Sequence, residues 1–307
     1  MTQPLPSRIQ IIGSGAIGSL MAANAQRNGI PYSLCPRDPA RLTQRLITYS
    51  GQSILLSGNM PVADQLGARD ILVLPVKVHQ LAQAAKQWQT RLSPQTPVLL
   101  IHNGMGGFEA VRKELPKQSL YLATTSHGAI KINHHEVKHT GFGRTVLGEA
   151  PDNRDSHSGQ SELVLETLSR CLQPVTWQQD IMKGLWLKLA VNAVINPLTA
   201  IHNVKNGELE KANFKGQISD ICHETAAVAQ ACGMDLPPAL LEENVQQVIG
   251  KTAANYSSMH QDIWHHRVTE IAAINGYILQ QAEKKGIDVP VNTFLYNKVK
   301  SMESRYS

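Results

Sequence analysis

A chain of 307 residues exceeds what one hydrophobic core usually organises, so two domains are expected. Hydrophobic residues at 42% and charged residues at 17% describe an ordinary globular protein, with no apolar run expected to reach the length of a membrane span. The formal charge of +5 comes from 29 basic and 24 acidic residues interspersed along the chain, which argues against nucleic acid and suits the handling of small anions.

The residues from Met1 to Ser7 lack a basic segment followed by an apolar one, so a cytoplasmic setting without a membrane partner is expected. Four cysteines, Cys35, Cys171, Cys222 and Cys232, are scattered without a CxxC pair, which points to reduced thiols and to no metal site. The first half alternates short β-rich runs with helical patterns, the order of βαβ units in a parallel sheet. Strands are predicted over 9–12, 32–35, 71–74, 98–102 and 121–125. From 128 to 149, polar and apolar residues alternate between Gly141, Gly143 and Gly148, which predicts antiparallel hairpins at the sheet edge, and 151–159 reads as a polar loop. Beyond Gln178 the pattern is helix after helix. Asp180 suits the cap of a helix running toward Asn196, and Pro197 should end or kink it for want of an N–H. Glycine followed shortly by proline, at Gly233 to Pro237 and at Gly286 to Pro290, marks two later helix stops. The predicted domains are therefore 1–179 and 180–307.

The first chemical signal is the turn Gly13-Ser14-Gly15-Ala16-Ile17-Gly18, which follows the first strand and opens a helix. In a GxGxxG turn the first glycine permits the tight bend, the second lets a pyrophosphate approach the backbone, and the third lets helix and strand pack closely. The helix N-terminus adds free N–H groups and the positive end of its dipole. This predicts dinucleotide binding on a Rossmann-type sheet. At the end of the second strand, where an NAD site usually places an acid for the ribose 2′-hydroxyl, the sequence reads Leu34-Cys35-Pro36-Arg37. An arginine there suits a 2′-phosphate, so NADP is favoured, although a shift of one residue would bring Asp38 into reach. Lys77, just past the third strand, is a candidate phosphate or adenine neighbour with Gln80 behind it.

The second signal is the run Lys188 to Pro197. Four-residue spacing puts Lys188, Asn192 and Asn196 on one helix face among Leu185, Leu189, Val191 and Ile195. Burial lowers a lysine pKa, and a lysine so tuned can protonate a developing alkoxide near neutral pH. Two stacked carboxamides can hold a small carboxylate or hydroxyl, whereas a plain solvent-facing stripe would leave two poor helix formers unexplained. Ser258 is a candidate for the substrate carboxylate and Glu270 for orienting the lysine or a ribose hydroxyl. Asn103-Gly104-Met105-Gly106 follows the fourth strand, where a Rossmann sheet presents its loops to ligand; an ordinary turn reads equally well there. His134, His135 and His139, like His265 and His266, lack a metal-site pattern and read as exposed residues.

Taken together, the sequences GSGAIG at Gly13, HNGMG at His102, KLAVNAVINPLTA at Lys188 followed by Asn206-Gly-Glu-Leu, and SSMHQDIWHHRVTEIAAING at Ser257 make the chain resemble the ketopantoate reductase family over nearly its whole length. The resemblance implies an α/β protein, with an N-terminal Rossmann-type doubly wound domain followed by an all-α C-terminal domain. It also implies NADPH-dependent reduction of 2-dehydropantoate to (R)-pantoate, in pantothenate and coenzyme A synthesis. By the same resemblance Lys188 is the general acid, and Asn192, Asn196, Asn206 and Ser258 bind substrate. Asn103 touches both substrate and cofactor, Glu270 and Ala129 contact the cofactor, and Arg37 and Lys77 lie on its adenosine-phosphate side. His202, Tyr256 and the stretch Asp180 to Lys183 depart from the family pattern and together leave the substrate side-chain preference open. The expected partner is a small-molecule substrate, with the protein a monomer or homodimer. A reductase of another small keto acid is the first alternative, and a non-catalytic NADP-sensing module the second.

Overall fold

The computed structural model describes residues 5–153 and 159–306; residues 154–158 of the expected polar loop lie outside them. The chain divides into two units, one of Met1–His102 and Gly107–Ile181, the other of Asn103–Gly106 and Met182–Ser307.

In the first unit, near-continuous apolar runs form the strands β1 (Arg8–Ile12), β2 (Tyr32–Cys35), β5 (Asp70–Leu74), β6 (Val98–Ile101) and β7 (Leu120–Thr125). Buried on both faces, such runs suit a parallel sheet. With β10 (Thr145–Glu149) and β11 (Val175–Trp177) the sheet has the order β11-β10-β7-β6-β5-β1-β2, in which β1, β2, β5, β6 and β7 are mutually parallel. β10 joins β7 antiparallel, and β11 pairs parallel with β10. From β1 the chain steps outward to β2 through α1 (Ala16–Arg27). From β5 it steps the other way, through α2 (Val78–Trp88) to β6 and α3 (Gly107–Glu114) to β7. Right-handed crossovers running in opposite directions place α1 and α2 on opposite faces, and the strand order reverses at β1 and β5. α1 packs with α4 (Gln160–Cys171), and α2 packs with α3.

Of the antiparallel hairpins expected at the sheet edge over 128–149, β10 does join the large sheet beside its outermost strand, whereas β8 (Gly128–Lys131) and β9 (Glu136–Gly141) sit elsewhere. They pair antiparallel in a separate sheet, in which β3 (Arg45–Ile47) and β4 (Ser53–Leu55) complete the order β4-β3-β9-β8. This small sheet packs against α1. His139 is not exposed as expected: it is buried on β9, its Nε2 2.9 Å from the Gly141 carbonyl and its ring edge-on to Phe142.

The second unit is helical, with no strand among its described residues: α5 (Ile181–His202), α6 (Ala212–Ala231), α7 (Pro238–Lys251), α8 (Ser258–Trp264), α9 (Asn275–Lys285) and α10 (Pro290–Glu303). Two corrections concern α5. Its length and composition do meet those of a membrane span, contrary to the expectation above, yet the qualifying window is 72% buried inside the protein. Val194, Leu198 and Ala193 are fully buried, and the helix contributes a large share of the buried cluster of the second unit.

The helix also runs through Pro197, so of the end or kink expected there the end does not occur. Proline cannot donate to the carbonyl four residues back, that of Ala193, and a buried carbonyl left without a donor is costly. Asn275 Nδ2 donates to that oxygen at 3.1 Å and to Asn292 Oδ1 at 2.9 Å. Asn292 Nδ2 donates in turn to Glu224 at 2.7 Å, and the same carboxylate accepts from the Val291 and Asn292 backbone N–H groups that open α10. A buried polar chain thus replaces the missing helical hydrogen bond.

Candidate active site

The glycine turn leaves the carboxyl end of β1. Gly13 has φ +93°, a conformation that disfavours any side chain, and its N–H donates to the Cys35 carbonyl at 2.6 Å, tying the turn to the end of β2. A Cβ on Gly18 would lie 3.1 Å from both Ile11 Cγ2 and Pro75 Cγ, so the bare glycine lets α1 lie against the sheet. A Cβ on Gly15 would meet nothing within 4 Å, so the backbone there faces open space. No side chain caps α1, and its first turn carries no acid. Exposed helix-start amides without a competing negative group fit a pyrophosphate.

Arg37 is exposed just beyond β2. Asp38, the competing possibility, is already engaged: its carboxylate accepts from the Ala40 N–H at 3.0 Å and faces Arg41 Nε at 3.4 Å. That leaves the arginine as the residue suited to a 2′-phosphate. Lys77 precedes α2 at the carboxyl end of β5, the strand beside β1, and Gln80 lies exposed in the first turn of α2. Ala129 lies on β8 at the irregularity that separates it from Gly128.

In the second unit, α5 carries Lys188, Asn192 and Asn196 on successive turns. Desolvation pushes the Lys188 ammonium down from 10.5 to about 8, and the nearby Glu270 carboxylate opposes that shift. Glu270 accepts a hydrogen bond from Asn103 Nδ2 at 3.2 Å. The Asn103 loop is held by the Met105 N–H, which donates to the Ala273 carbonyl at 2.8 Å. Only glycine fits at position 104, where φ is +77° and a Cβ would stand 2.5 Å from that same oxygen. Lysine, carboxylate and carboxamide are therefore grouped by three separate stretches of chain.

Asn196 is 6% exposed, and the Asn192 Nδ2 is buried with no hydrogen-bond partner. Asn206, also 6% exposed, donates through Nδ2 to Thr252 Oγ1 at 2.9 Å, while its Oδ1 is buried without a partner. Its N–H donates to the Asn255 carbonyl at 2.9 Å, which brings it to the segment that holds Ser258. That segment is anchored by the other serine: buried Ser257 accepts from the His260 N–H at 3.0 Å to cap α8, and its Oγ lies 2.7 Å from the Thr199 hydroxyl of α5. Ser258 itself is exposed at the first position of α8. Orphaned donors and acceptors in a buried setting await a polar ligand.

Residues 9–152 match the family model described as Ketopantoate reductase PanE/ApbA, and residues 180–303 match Ketopantoate reductase PanE/ApbA C terminal. The chain is 39% identical to the 2-dehydropantoate 2-reductase of Vibrio cholerae, over 97% of this chain and 99% of that protein. It is 38% identical to the enzyme of the same name from Escherichia coli O157:H7, over 97% and 96% of the two chains. Among solved structures it is similar to D-mandelate dehydrogenase with NADH and anilino(oxo)acetate, at a TM-score of 0.89 and 25% identity over 97% of this chain and 99% of that one.

Proposed function

The chain belongs to the ketopantoate reductase PanE/ApbA family, and from that premise we propose how its own residues carry out NADPH-dependent reduction of 2-dehydropantoate to pantoate. NADPH, when bound, supplies a hydride to the keto carbon, the one step no side chain can perform. The glycine turn Gly13 to Gly18 receives its pyrophosphate on backbone amides, Arg37 pairs with its 2′-phosphate, and Lys77 and Gln80 stand at the same carboxyl ends of the sheet. Ala129, Asn103 and Glu270 complete the cofactor contacts.

Lys188 holds the proton that the carbonyl oxygen takes as negative charge develops on it. A pKa of about 8 leaves most of the ammonium charged at neutral pH while making it a better acid than an exposed lysine. Asn192, Asn196, Asn206 and Ser258 orient the carboxylate and hydroxyl of the substrate. The observation that carries this reading is the pairing, on one face of α5, of a desolvated lysine with a buried and unsatisfied Asn192 amide. We further propose that the protein works in the cytoplasm as a monomer or homodimer, without a nucleic-acid or membrane partner. We place the domain boundary near residue 180.

Steady-state assays with NADPH and NADH, each against 2-dehydropantoate and a phenyl-substituted 2-keto acid, test the proposal. It expects the highest kcat/KM for 2-dehydropantoate with NADPH. Preference for the aromatic acid or for NADH would overturn the substrate or the Arg37 assignment respectively.

A further inference from the structure

Lys131 ends β8, two residues beyond Ala129, and the period of a strand puts both on one face while Ile130 is exposed on the other. β8 packs against α1, the helix that the glycine turn opens. The Lys131 Nζ lies 3.4 Å from Ser14 Oγ and 3.4 Å from the Arg41 carbonyl oxygen. Ser14, the residue between the first two glycines of the turn, is buried, and its hydroxyl donates to the same Arg41 carbonyl at 2.9 Å.

Both oxygens that Lys131 reaches are neutral. Among the described residues its ammonium has no carboxylate partner, and the nearby charge that acts on it is the Arg41 cation. Burial and that cation both push the Lys131 pKa down. Asp38, the acid three residues before Arg41, faces that arginine at 3.4 Å. A half-buried lysine beside an arginine and an uncapped helix start, with neutral oxygens as its own partners, is a place that a bound anion would stabilise. Arg37 leaves the end of β2, whereas Lys131 contacts the turn itself, where backbone amides await a pyrophosphate.

Resting on the dinucleotide reading above, we propose that Lys131 is a cofactor-phosphate ligand, its ammonium binding the NADPH pyrophosphate over the glycine turn from the small four-stranded sheet. The role differs from that of Arg37, which recognises the 2′-phosphate. Lys131 therefore governs affinity for any dinucleotide and leaves the choice between NADPH and NADH to Arg37.

Binding to the purified full chain, measured by calorimetry, separates the two. ADP-ribose carries the pyrophosphate without a 2′-phosphate, and adenosine 2′-monophosphate the reverse. Lys131→Met and Lys131→Gln should each weaken ADP-ribose, NADPH and NADH by about tenfold, and leave adenosine 2′-monophosphate within about twofold. Lys131→Arg should stay close to the native protein. Unchanged ADP-ribose binding in Lys131→Met and Lys131→Gln, or a loss confined to NADPH and adenosine 2′-monophosphate, would overturn the proposal. Absence of dinucleotide binding in the native protein would instead overturn the reading on which it rests.

Discussion

Replacing Glu270 with glutamine should move the alkaline limb of the pH–rate profile downward. Burial alone drives the Lys188 pKa down, and the Glu270 carboxylate holds it up at about 8. The protonated form is the acid, so kcat/KM is flat below that value and falls about tenfold per pH unit above it. Glutamine keeps the size and one hydrogen-bonding oxygen but removes the charge. Loss of a neighbouring opposite charge is worth about one pH unit or more, which places the new midpoint near about 7. At pH 8 the native lysine is about half protonated and the variant about one-tenth, a fivefold difference; near pH 6 both are almost fully protonated and the ratio is about one. The assay is kcat/KM for 2-dehydropantoate at saturating NADPH, from about pH 6 to about pH 9. Because NADPH is saturating, a weaker cofactor contact alone would not move the midpoint. A midpoint that stays put or rises would refute the argument that Glu270 tunes Lys188.

Two further substitutions probe the frame of the site. Arg37→Ala should weaken NADPH by about tenfold or more and leave NADH nearly unchanged, because only NADPH carries the phosphate the guanidinium meets; equal losses by fluorescence titration would contradict the NADP assignment. Asn275→Ala should lower stability by about 2 kcal/mol in urea unfolding, since the Ala193 carbonyl then loses its donor. In a Pro197→Ala background the restored helical N–H should reduce that loss. Equal losses in both backgrounds would show that Asn275 does not substitute for the missing proline donor.

The elements that dominate the reading of the sequence are those whose signals are local. The turn Gly13 to Gly18 carries its geometry in six consecutive residues, and Gly13, Gly15 and Gly18 fill three different steric roles. The Lys188, Asn192, Asn196 spacing is equally local, as is the glycine-proline punctuation that brackets α6, α7, α9 and α10. What the reading missed depends on partners distant in the chain. β3 and β4 are three residues each and gain their place only because Leu46 pairs with Val137 across the small sheet. Pro197 looks like a helix stop until Asn275 is seen to serve the carbonyl it abandons. Lys131 escaped notice for the same reason, since its meaning comes from Ser14 and Arg41. A basic residue two positions after Ala129 on a strand was its one sequence signal. The contacts of Asp38, a rival to Arg37 on spacing alone, with the Ala40 N–H and Arg41 are likewise ones that spacing does not reveal.

The central claim is that Lys188 donates the proton to the reduced carbonyl, and Lys188→Ala tests it most directly. Turnover of 2-dehydropantoate should fall by about a hundredfold to ten-thousandfold, the usual worth of a positioned general acid, while the NADPH dissociation constant stays within about twofold of the native value. Turnover within about tenfold of the native enzyme, with NADPH still bound, would contradict the account.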